Sequence, residues 1–488
     1  MDKKILFLKA GSGWKDPCPP LAFAYLGKIA KDNGFKVLVE NLNAQYNKKT
    51  VEDVIKLIKK EKPGIVGLSI FTNYAKDSYE LIREIRSCCN IIIAGGPHVT
   101  IYPEEVLENG ADIAVLGEAE YSFADLLKTI SSKRDLSKVK GIAYKEKDKI
   151  KITKTPELVD LDKLPIPDKD IFRKRDYVKI KDEINNFGGI LSSRGCPGRC
   201  IYCYHSLFGR CFRYRSAKNV FKEVLYLNKK YGINHIHFVD DAFTVNRERL
   251  IELCDLFIKA KLPIEWVCAT RIDFLDKEVI FKMKKAGCVM ISLGVESCIP
   301  STLIKMKKTN NPKWYIEHTN KVLDWCYKAG IRAGVNILTG FPWDRVEDIK
   351  KLQEYVKKIR KYVTQGFLGG ILQPMPNTEI YEQYAKQYKF EKWWLYKKLI
   401  FKEDYHPFFM IYYYIFWEQL QNNFFNLDKK VFNEIDKLYK IMGKWNLKVL
   451  VKRRFENPLV AYLLYSGFLF LSNLSLVTFK ISRKLEKR

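Results

Sequence analysis

The sequence has 488 residues, 47% of them hydrophobic, which suffices for two to four domains and excludes a disordered or low-complexity chain. The net charge of +29 comes from lysines and arginines along the whole chain, so a lysine-rich composition is favoured over a nucleic-acid-binding block, with an anionic lipid or acidic substrate left open. Twelve cysteines and an N-terminal apolar run too short for a secretory signal indicate a reducing, cytoplasmic location.

From residue 4 to about 130, short apolar runs alternate with helical patterns such as Leu21–Asn33 and Lys76–Ser87. This alternation predicts a Rossmann-like, doubly wound parallel sheet over residues 1–130, which binds ligands beyond the carboxyl ends of its strands. The predicted strands are Ile5–Leu8, Val37–Val39, Ile65–Ile70, Ile91–Ala94 and Ile113–Leu116.

Small and polar residues follow these predicted strands. Glycine lets a ligand approach the backbone closely, so Gly95, Gly96 and Gly117 suit a large flat ligand, although ordinary strand-to-helix turns would leave the same pattern. No Gly-x-Gly-x-x-Gly follows the first strand, which argues against a nicotinamide cofactor. The strand-end residues are Gly11-Ser12-Gly13, Ser69, Gly95-Gly96-Pro97-His98 and Gly117-Glu118.

Residues 131–185 are polar and rich in turn signals, and Leu164–Asp168 predicts a stiff, extended linker. A second alternating series then covers residues 186–384. Its six β/α units predict a partial (β/α)6 TIM-like barrel with functional groups at the carboxyl ends of the strands. The predicted strands are Ile190–Ser193, Ile233–Val239, Ile264–Ala269, Val289–Leu293, Ala333–Leu338 and Phe367–Leu372.

Three cysteines follow the first strand of this second series. Cys196, Cys200 and Cys203 have the spacing C-x3-C-x2-C, and thiolates on one short loop can bind three irons of a 4Fe–4S cluster. No fourth cysteine lies at matching spacing, so one iron would stay open. Zinc is the alternative, with His205 and Cys211 nearby, but structural zinc usually needs a second pair of ligands.

The segment from Arg194 to Cys203 resembles the cluster loop of the radical S-adenosylmethionine (SAM) superfamily. The resemblance implies that the open iron binds the amino and carboxylate groups of SAM. An electron from a donor such as flavodoxin or ferredoxin would then cleave SAM to a 5′-deoxyadenosyl radical. It also implies SAM contacts at the strand ends, from Tyr202, Asp240, Asp241, Arg271, Ser292 and Glu296.

Four of these predicted SAM contacts have a proposed partner, and three of them also have an alternative role. Asp240 and Asp241 would accept hydrogen bonds from the methionyl amine, or could cap a helix. The forked guanidinium of Arg271 would pair with the SAM carboxylate, or could form a surface salt bridge. Glu296 suits the ribose, because one carboxylate can accept from two hydroxyls at once.

Four segments ahead of the cysteines together resemble the cobalamin-binding domain that precedes many radical SAM domains. The resemblance covers about residues 1–130 and implies that Ser69, Gly95, Gly96, Gly117 and Glu118 contact cobalamin. Proteins that bind cobalt through histidine carry Asp-x-His-x-x-Gly after the first strand. This chain has Lys9–Trp14 there, so we expect no histidine ligand from that loop. The segments are Pro19–Leu26, Val66–Ser69, Ala94–His98 and Leu116–Glu120.

These resemblances imply a cobalamin-dependent radical SAM enzyme that methylates an unactivated carbon of a small-molecule or lipid-like substrate. Within the superfamily, a cobalamin-linked cyclisation or rearrangement stays open, as in the anaerobic magnesium-protoporphyrin monomethyl ester cyclase. So does an enzyme that no longer uses cobalamin. A basic membrane- or RNA-associated binding protein with a structural cluster is disfavoured, because no RNA-binding motif is present, and no specific nucleic-acid partner is expected.

Residues 385–488 carry no such motif and are expected to be mainly helical. Pro458–Phe479 has no charged residue and basic flanks, so its length permits a membrane span. Its polar and amphipathic residues favour a packed or interfacial helix, and we expect at most peripheral membrane contact from this tail. Those residues are Tyr462, Tyr465, Ser466, Asn473 and Ser475.

Overall fold

The computed structural model describes residues 2–11, 15–179, 185–205, 207–396 and 423–454. The described residues fall into two compact units. One lies within Met1–Phe243, Lys259–Glu265 and Met375–Phe401, and the other within Thr244–Ile258, Trp266–Pro374 and Lys402–Arg488.

The first unit contains a seven-stranded sheet whose order is β2-β1-β3-β4-β5-β6-β7. Strands β1 to β5 pair in parallel, and the connections between them carry helices, which confirms the predicted doubly wound arrangement. The strands are β1 (Lys4–Lys9), β2 (Lys36–Asn41), β3 (Ile65–Ser69), β4 (Ile92–Gly95), β5 (Ile113–Val115), β6 (Ile142–Glu146) and β7 (Lys149–Ile152). The helices are α1 (Leu21–Asp32), α2 (Val51–Glu61), α3 (Ala75–Ile85), α4 (Pro97–Ile101), α5 (Pro103–Glu108) and α6 (Ala119–Ser131).

Local sequence explains where these elements form. In β1, the run from Ile5 to Leu8 is at most 2% exposed, as expected for a parallel strand covered on both faces by helices. Helix α2 begins with a capping box, in which the Thr50 side chain accepts from the Asp53 N–H and the Asp53 side chain accepts from the Thr50 N–H. The same helix ends at Lys62 in a left-handed conformation.

Strands β6 and β7 lie in the stretch that the sequence predicts as a linker. Strand β6 pairs antiparallel with β5 and buries Ile142, Ala143 and Tyr144 against the sheet. Strand β7 pairs antiparallel with β6 and is largely exposed. A short edge strand with few buried residues gives a weak apolar alternation, which explains why the pattern did not predict it.

Beyond β7, the buried side chain of Lys169 fixes the position of the chain by hydrogen bonds. Lys169 donates to the carbonyl oxygen of Phe187 and, at 2.8 Å, to that of Gly189, where the second sheet begins. Burial lowers the pKa of Lys169 to about 8. The contact ties the end of the linker to the first strand of the second sheet.

The second sheet has six parallel strands in the order β15-β14-β13-β12-β11-β8, which confirms the partial barrel. Its strands are β8 (Gly189–Ile190), β11 (His235–Phe238), β12 (Glu265–Thr270), β13 (Cys288–Glu296), β14 (Arg332–Thr339) and β15 (Gly366–Ile371). Strands β9 (Ser193–Arg194) and β10 (Arg213–Tyr214) form a separate antiparallel pair. The helices are α7 (Ala217–Tyr231), α8 (Arg247–Ala260), α9 (Lys277–Lys285), α10 (Pro300–Lys305), α11 (Pro312–Ala329) and α12 (Val346–Ile359).

The described C-terminal residues are mainly helical, in α13 (Glu379–Tyr384), α14 (Trp393–Tyr396) and α15 (Lys429–Arg454). Helix α15 covers the edge strand β15, where the Asn446 side chain accepts from the Phe367 N–H at 2.6 Å and donates to the Phe367 carbonyl at 2.8 Å. This contact satisfies backbone groups that an open sheet edge would leave unpaired. No helix among the described residues is long and apolar enough to cross a bilayer. Pro458–Phe479 lies outside the described residues.

Candidate active site

The cysteine loop lies between β9 and β10 in the first unit. Cys196 and Cys200 are buried, whereas Cys203 is exposed. The Gly198 N–H donates to Cys196 Sγ at 3.4 Å, the kind of contact that stabilises a thiolate. Within the described residues, no group of three or more His, Cys, Asp or Glu side chains is arranged for a single metal ion. In a 4Fe–4S cluster, by contrast, each thiolate binds a different iron.

The carboxylate of Asp240 holds the strand that leads into this loop. It accepts from the Ser192 N–H at 2.7 Å, from the Ser192 hydroxyl at 2.5 Å and from the Ser193 hydroxyl at 2.6 Å. All three residues are at most 3% exposed. The sequence predicts Asp240 as a ligand-binding carboxylate, but both of its oxygens are already hydrogen bonded within the protein.

The neighbouring Asp241 is exposed. The surrounding protein still desolvates its carboxylate and raises its pKa, with a further increase from the adjacent Asp240. The Gly195 N–H donates to Asp241 and partly offsets that increase. Of the two predicted carboxylates, Asp241 is therefore the one placed to meet a ligand, one hydrogen bond from the cysteine loop.

A cavity of about 270 Å³ lies at the carboxyl edge of the first sheet, within the first unit. All five residues that the sequence predicts to contact cobalamin line it, namely Ser69, Gly95, Gly96, Gly117 and Glu118. Most of the remaining wall is apolar, from α1, α6 and the neighbourhood of the cysteine loop. It includes Leu21, Leu26, Phe123, Leu191, Leu207, Phe208 and Val239.

Two glycines in this wall have different roles. At Gly96, φ is 113° and an added Cβ would lie 2.8 Å from the Ile70 carbonyl oxygen, so glycine is required by the protein's own packing. At Gly117, φ is 65° and an added Cβ would meet no protein atom within 4 Å. The open space at Gly117 fits a ligand that approaches the backbone, as a corrin ring would.

Buried charges join the cavity wall to the cysteine loop. Arg194 pairs with Glu120 and, at 3.3 Å, with Glu118. Glu118 also pairs with Arg213 and accepts from the Val159 N–H at 3.0 Å. Burial alone would lower the pKa of Arg194, but Glu120 and Glu118 outweigh it and raise the pKa. The carboxylate of Glu118, predicted to contact cobalamin, is thus bonded to the protein.

In the second unit, Glu296 ends β13 with φ of 68°, a conformation that is uncommon for a residue with a side chain. Lys308 Nζ lies 3.3 Å from Glu296 Oε1, and both side chains are largely buried. The Tyr315 hydroxyl donates to the Gly294 carbonyl at 2.7 Å, two residues before Glu296. Ser292 lies within β13, and this strand continues past its predicted end at Leu293 to Glu296.

Arg271 is already paired in this unit. Its Nε donates to Asp273 Oδ1 at 2.9 Å, and one Nη donates to Asp273 Oδ2 at 2.7 Å and to the Lys308 carbonyl at 2.8 Å. The salt bridge that the sequence offered as an alternative is thus formed with Asp273, and pairing of Arg271 with the SAM carboxylate stays a prediction.

Sequence reasoning did not single out Arg194, Arg213, Tyr204 or Lys308. Arg213 and Glu118 are 95 positions apart, and no local pattern indicates such a pair. Glu120 stood in a segment that carried the resemblance to cobalamin-binding domains, next to the predicted Glu118. The sequence did contain one signal for these ion pairs, namely the acidic residues Glu118 and Glu120 after a predicted strand and arginines on either side of the cysteine motif.

Comparison with known families divides the chain in the same order as the two sheets. The B12 binding domain family matches residues 14–127, and the Radical SAM superfamily matches residues 190–356. The first range covers the sheet whose carboxyl edge lines the cavity. The second range contains the cysteine loop and the strands of the second sheet up to β14. The fold and the loop together define a radical SAM protein with a B12-binding domain.

An uncharacterized methyltransferase of Pyrococcus horikoshii is 30% identical over 370 residues, covering 75% of this chain and 78% of the relative. The anaerobic magnesium-protoporphyrin IX monomethyl ester cyclase of Rubrivivax gelatinosus is 27% identical, over 77% of this chain and 68% of that protein. The radical SAM methyltransferase TsrM of Kitasatospora setae, solved with cobalamin and a [4Fe-4S] cluster, shares the fold with a TM-score of 0.65 at 20% identity, over 80% of this chain and 75% of that chain.

The chain belongs to the family of cobalamin-binding radical SAM enzymes that contains these methyltransferases and the cyclase. Its cofactors are a 4Fe–4S cluster, SAM and cobalamin.

The different environments of the two aspartates predict different effects of substitution. Asp240→Ala leaves two serine hydroxyls and one backbone N–H without an acceptor, at about 1–3 kcal/mol for each buried group left unpaired. We expect a lower thermal unfolding midpoint for Asp240→Ala and an unchanged one for Asp241→Asn, measured by circular dichroism on cluster-free protein. Equal midpoints for the two variants would contradict the structural role of Asp240.

Proposed function

We propose that this protein transfers a methyl group to an unactivated carbon of a small-molecule substrate. The observation that carries the proposal is that the five residues predicted to contact cobalamin line one cavity, in the unit that also contains the cysteine loop. The relative of Pyrococcus horikoshii is described as a methyltransferase, which supports the same reaction class.

The cysteine loop is the proposed cluster site, with Cys196, Cys200 and Cys203 as ligands. When bound, the cluster supplies the electron that cleaves SAM, and cobalamin supplies a metal centre able to carry a methyl group. The Gly198 N–H stabilises the negative charge of the Cys196 sulfur. Burial of Cys196 and Cys200 keeps water from two of the three sulfurs, which protects an oxidation-sensitive group.

The proposed SAM contacts follow from which polar groups are already paired. Asp241 accepts from the methionyl amine, while Asp240 positions Ser192 and Ser193 beneath the loop. Tyr202 lies beside Cys203, and we place it in contact with bound SAM.

Ribose recognition falls to Glu296. Lys308 lies beside Glu296 Oε1 and holds the carboxylate in place, so that Oε2 accepts from the ribose hydroxyls. Ser292 lies on the same strand and adds a hydroxyl to this contact surface. The Arg271 guanidinium donates to Asp273 and to the Lys308 carbonyl and so holds both in position. Arg271 can bind the SAM carboxylate as well only if one guanidinium group serves both carboxylates.

Two partners complete the proposal. An acidic electron donor of the flavodoxin or ferredoxin type suits a chain with a net charge of +29, because complementary charge speeds association. The substrate is a small or lipid-like molecule, and the apolar lining of the cavity excludes water from the site where the methyl group is transferred. We place the protein in the cytoplasm, with peripheral membrane contact through its C-terminal tail.

Labelled SAM tests the reaction. The protein, reconstituted without oxygen to about four irons per chain and loaded with hydroxocobalamin, is incubated with SAM labelled in its methyl group, a reductant and a small-molecule extract of the source cells. We expect 5′-deoxyadenosine and a labelled methylated product, because the cluster cleaves SAM and the methyl group is transferred.

The variants Cys200→Ala and Cys211→Ala provide the matched comparison. Cys211 is exposed and outside the motif, so its variant should retain both products, whereas Cys200→Ala should lose both. Persistent 5′-deoxyadenosine in the Cys200→Ala reaction would exclude the cluster assignment. An altered product without label would instead indicate cyclisation or rearrangement.

Gly117 tests the cobalamin cavity. Gly117→Ala adds a Cβ to the open space at a residue with φ of 65°, and we expect it to weaken hydroxocobalamin binding, measured by equilibrium dialysis. Gly232→Ala is the matched control, because Gly232 has φ of 70° and likewise no atom within 4 Å of an added Cβ, but ends α7 outside the cavity. Both variants carry the same left-handed strain, about 1 kcal/mol. Equal hydroxocobalamin affinities would contradict the assignment.

Vesicle binding tests the tail. Lysines and arginines near Pro458–Phe479 should each contribute about 1 kcal/mol at an anionic surface. We expect the protein to bind anionic vesicles at low salt and not to bind neutral vesicles. High salt should release the bound protein, because it screens the charge–charge contacts. A bound fraction that resists salt and carbonate but yields to detergent would show integral insertion and contradict peripheral contact.

A further inference from the structure

The cysteine loop is tied to the cavity wall at both of its ends. Arg194 stands two residues before Cys196, and Tyr204 directly follows Cys203. The Arg194 side chain reaches Glu118 and Glu120, which line the cavity at the end of β5 and the start of α6. The Tyr204 hydroxyl donates to the Pro97 carbonyl at 2.7 Å, next to the cavity residue Gly96.

The contact at Arg194 is built from four charges. Arg213 lies opposite Arg194 in the β9–β10 pair, an arrangement of like charges that is unfavourable by itself. Glu118 and Glu120 compensate both guanidinium groups, and they stand at the N-terminus of α6, where the helix dipole favours negative charge. Arg194 is 3% exposed, and removing either side would leave a buried charge unpaired.

The contact at Tyr204 ends on a part of the wall that cannot move easily. Pro97 is the first residue of α4, so proline fixes its φ. Gly96, the residue before Pro97, packs directly on the Ile70 backbone. The His98 N–H also donates to the Ile70 carbonyl at 3.2 Å. The hydroxyl of Tyr204 therefore binds to a rigid point beside the cavity.

A second buried pair flanks the same loop on the side of α7. Arg215 pairs with Glu223 of α7, and both side chains are at most 4% exposed. Arg215 also donates from its backbone N–H to the Ser192 carbonyl at 2.9 Å and from its side chain to the Leu191 carbonyl at 3.3 Å, so it supports the strand that leads into the loop. Neither Arg215 nor Glu223 lines the cavity. Like the contact at Arg194, this is a buried arginine–glutamate pair. Its glutamate belongs to α7, whereas Glu118 and Glu120 line the cavity.

We propose that Arg194 and Tyr204 are positioning residues that fix the cluster loop against the cobalamin cavity, so that cluster and cobalt keep one separation. The inference rests on the proposed cluster and cobalamin sites. Radical transfer and methyl transfer succeed only when reacting groups are held in a narrow range of geometry, and displacements of about 1 Å are costly. Contacts from both ends of the loop supply that restraint where a single contact would leave a hinge.

Pulsed electron paramagnetic resonance measures the separation directly. Reduced holoprotein contains two unpaired spins, one on the cluster and one on cobalt(II), and their dipolar coupling gives a distance distribution. We expect one narrow distribution for the wild type and for Arg215→Lys. Arg194→Lys loses the forked pairing to two carboxylates and should give a broadened or displaced distribution, as should Tyr204→Phe.

Each result decides between the proposals. Unchanged distributions in Arg194→Lys and Tyr204→Phe would overturn the positioning role, and so would an equal broadening in Arg215→Lys, which would indicate general loosening. If Arg194→Lys fails to load its cofactors, Tyr204→Phe decides, because it removes a single hydroxyl. A wild type that binds hydroxocobalamin but gives no defined distance refutes this inference alone, whereas one that binds no hydroxocobalamin refutes the proposed function.

Discussion

The need to neutralise the buried guanidinium of Arg194 constrains the whole first unit. A charge that is 3% exposed requires opposite charges in contact, and Glu118 and Glu120 can supply them only if β5 ends and α6 begins where they do. Glu118 also accepts a hydrogen bond from the Val159 N–H, and this bond holds the segment after β7 against the sheet. The strand end, the approach to the cysteine loop and the returning linker are thus specified together.

The cost of burying an unpaired charge also explains why two carboxylates that were predicted to bind ligands are hydrogen bonded within the protein. Asp240 and Glu118 are both buried beside the site, and a buried carboxylate without partners would be strongly destabilising. Each therefore binds backbone or side-chain donors that hold a loop in place. In the proposed site, contact with ligands falls to carboxylate oxygens with remaining hydrogen-bonding capacity, such as those of Asp241 and the second oxygen of Glu296. Burial separates positioning residues from contact residues of the same type.

Much of the fold followed from local pattern. Both sheets were predictable because parallel strands between helices are continuous apolar runs, as in β1, and glycines mark where they end. The cysteine spacing likewise identified the loop. Strands β6 and β7 were both missed: β6 has only three buried residues before Lys145 and Glu146, and β7 is a polar edge strand with little alternation. The length of β13 was missed because the left-handed turn at Glu296 has no sequence signature. The pairing of Arg213 with Glu118 could not be predicted, since it depends on how residues 95 positions apart are folded together.

Charge is distributed unevenly between the surface and this interior. The chain carries +29 overall, yet the linked charges of Arg194, Arg213, Glu118 and Glu120 sum to zero, and all of them except Arg213 line the apolar cavity. In such surroundings each pairing is stronger than in water, and moving one member perturbs the rest. Because these four charges sum to zero, their combined field falls off faster with distance than the field of one unpaired charge. The remaining residues of the chain therefore carry the whole surplus of positive charge.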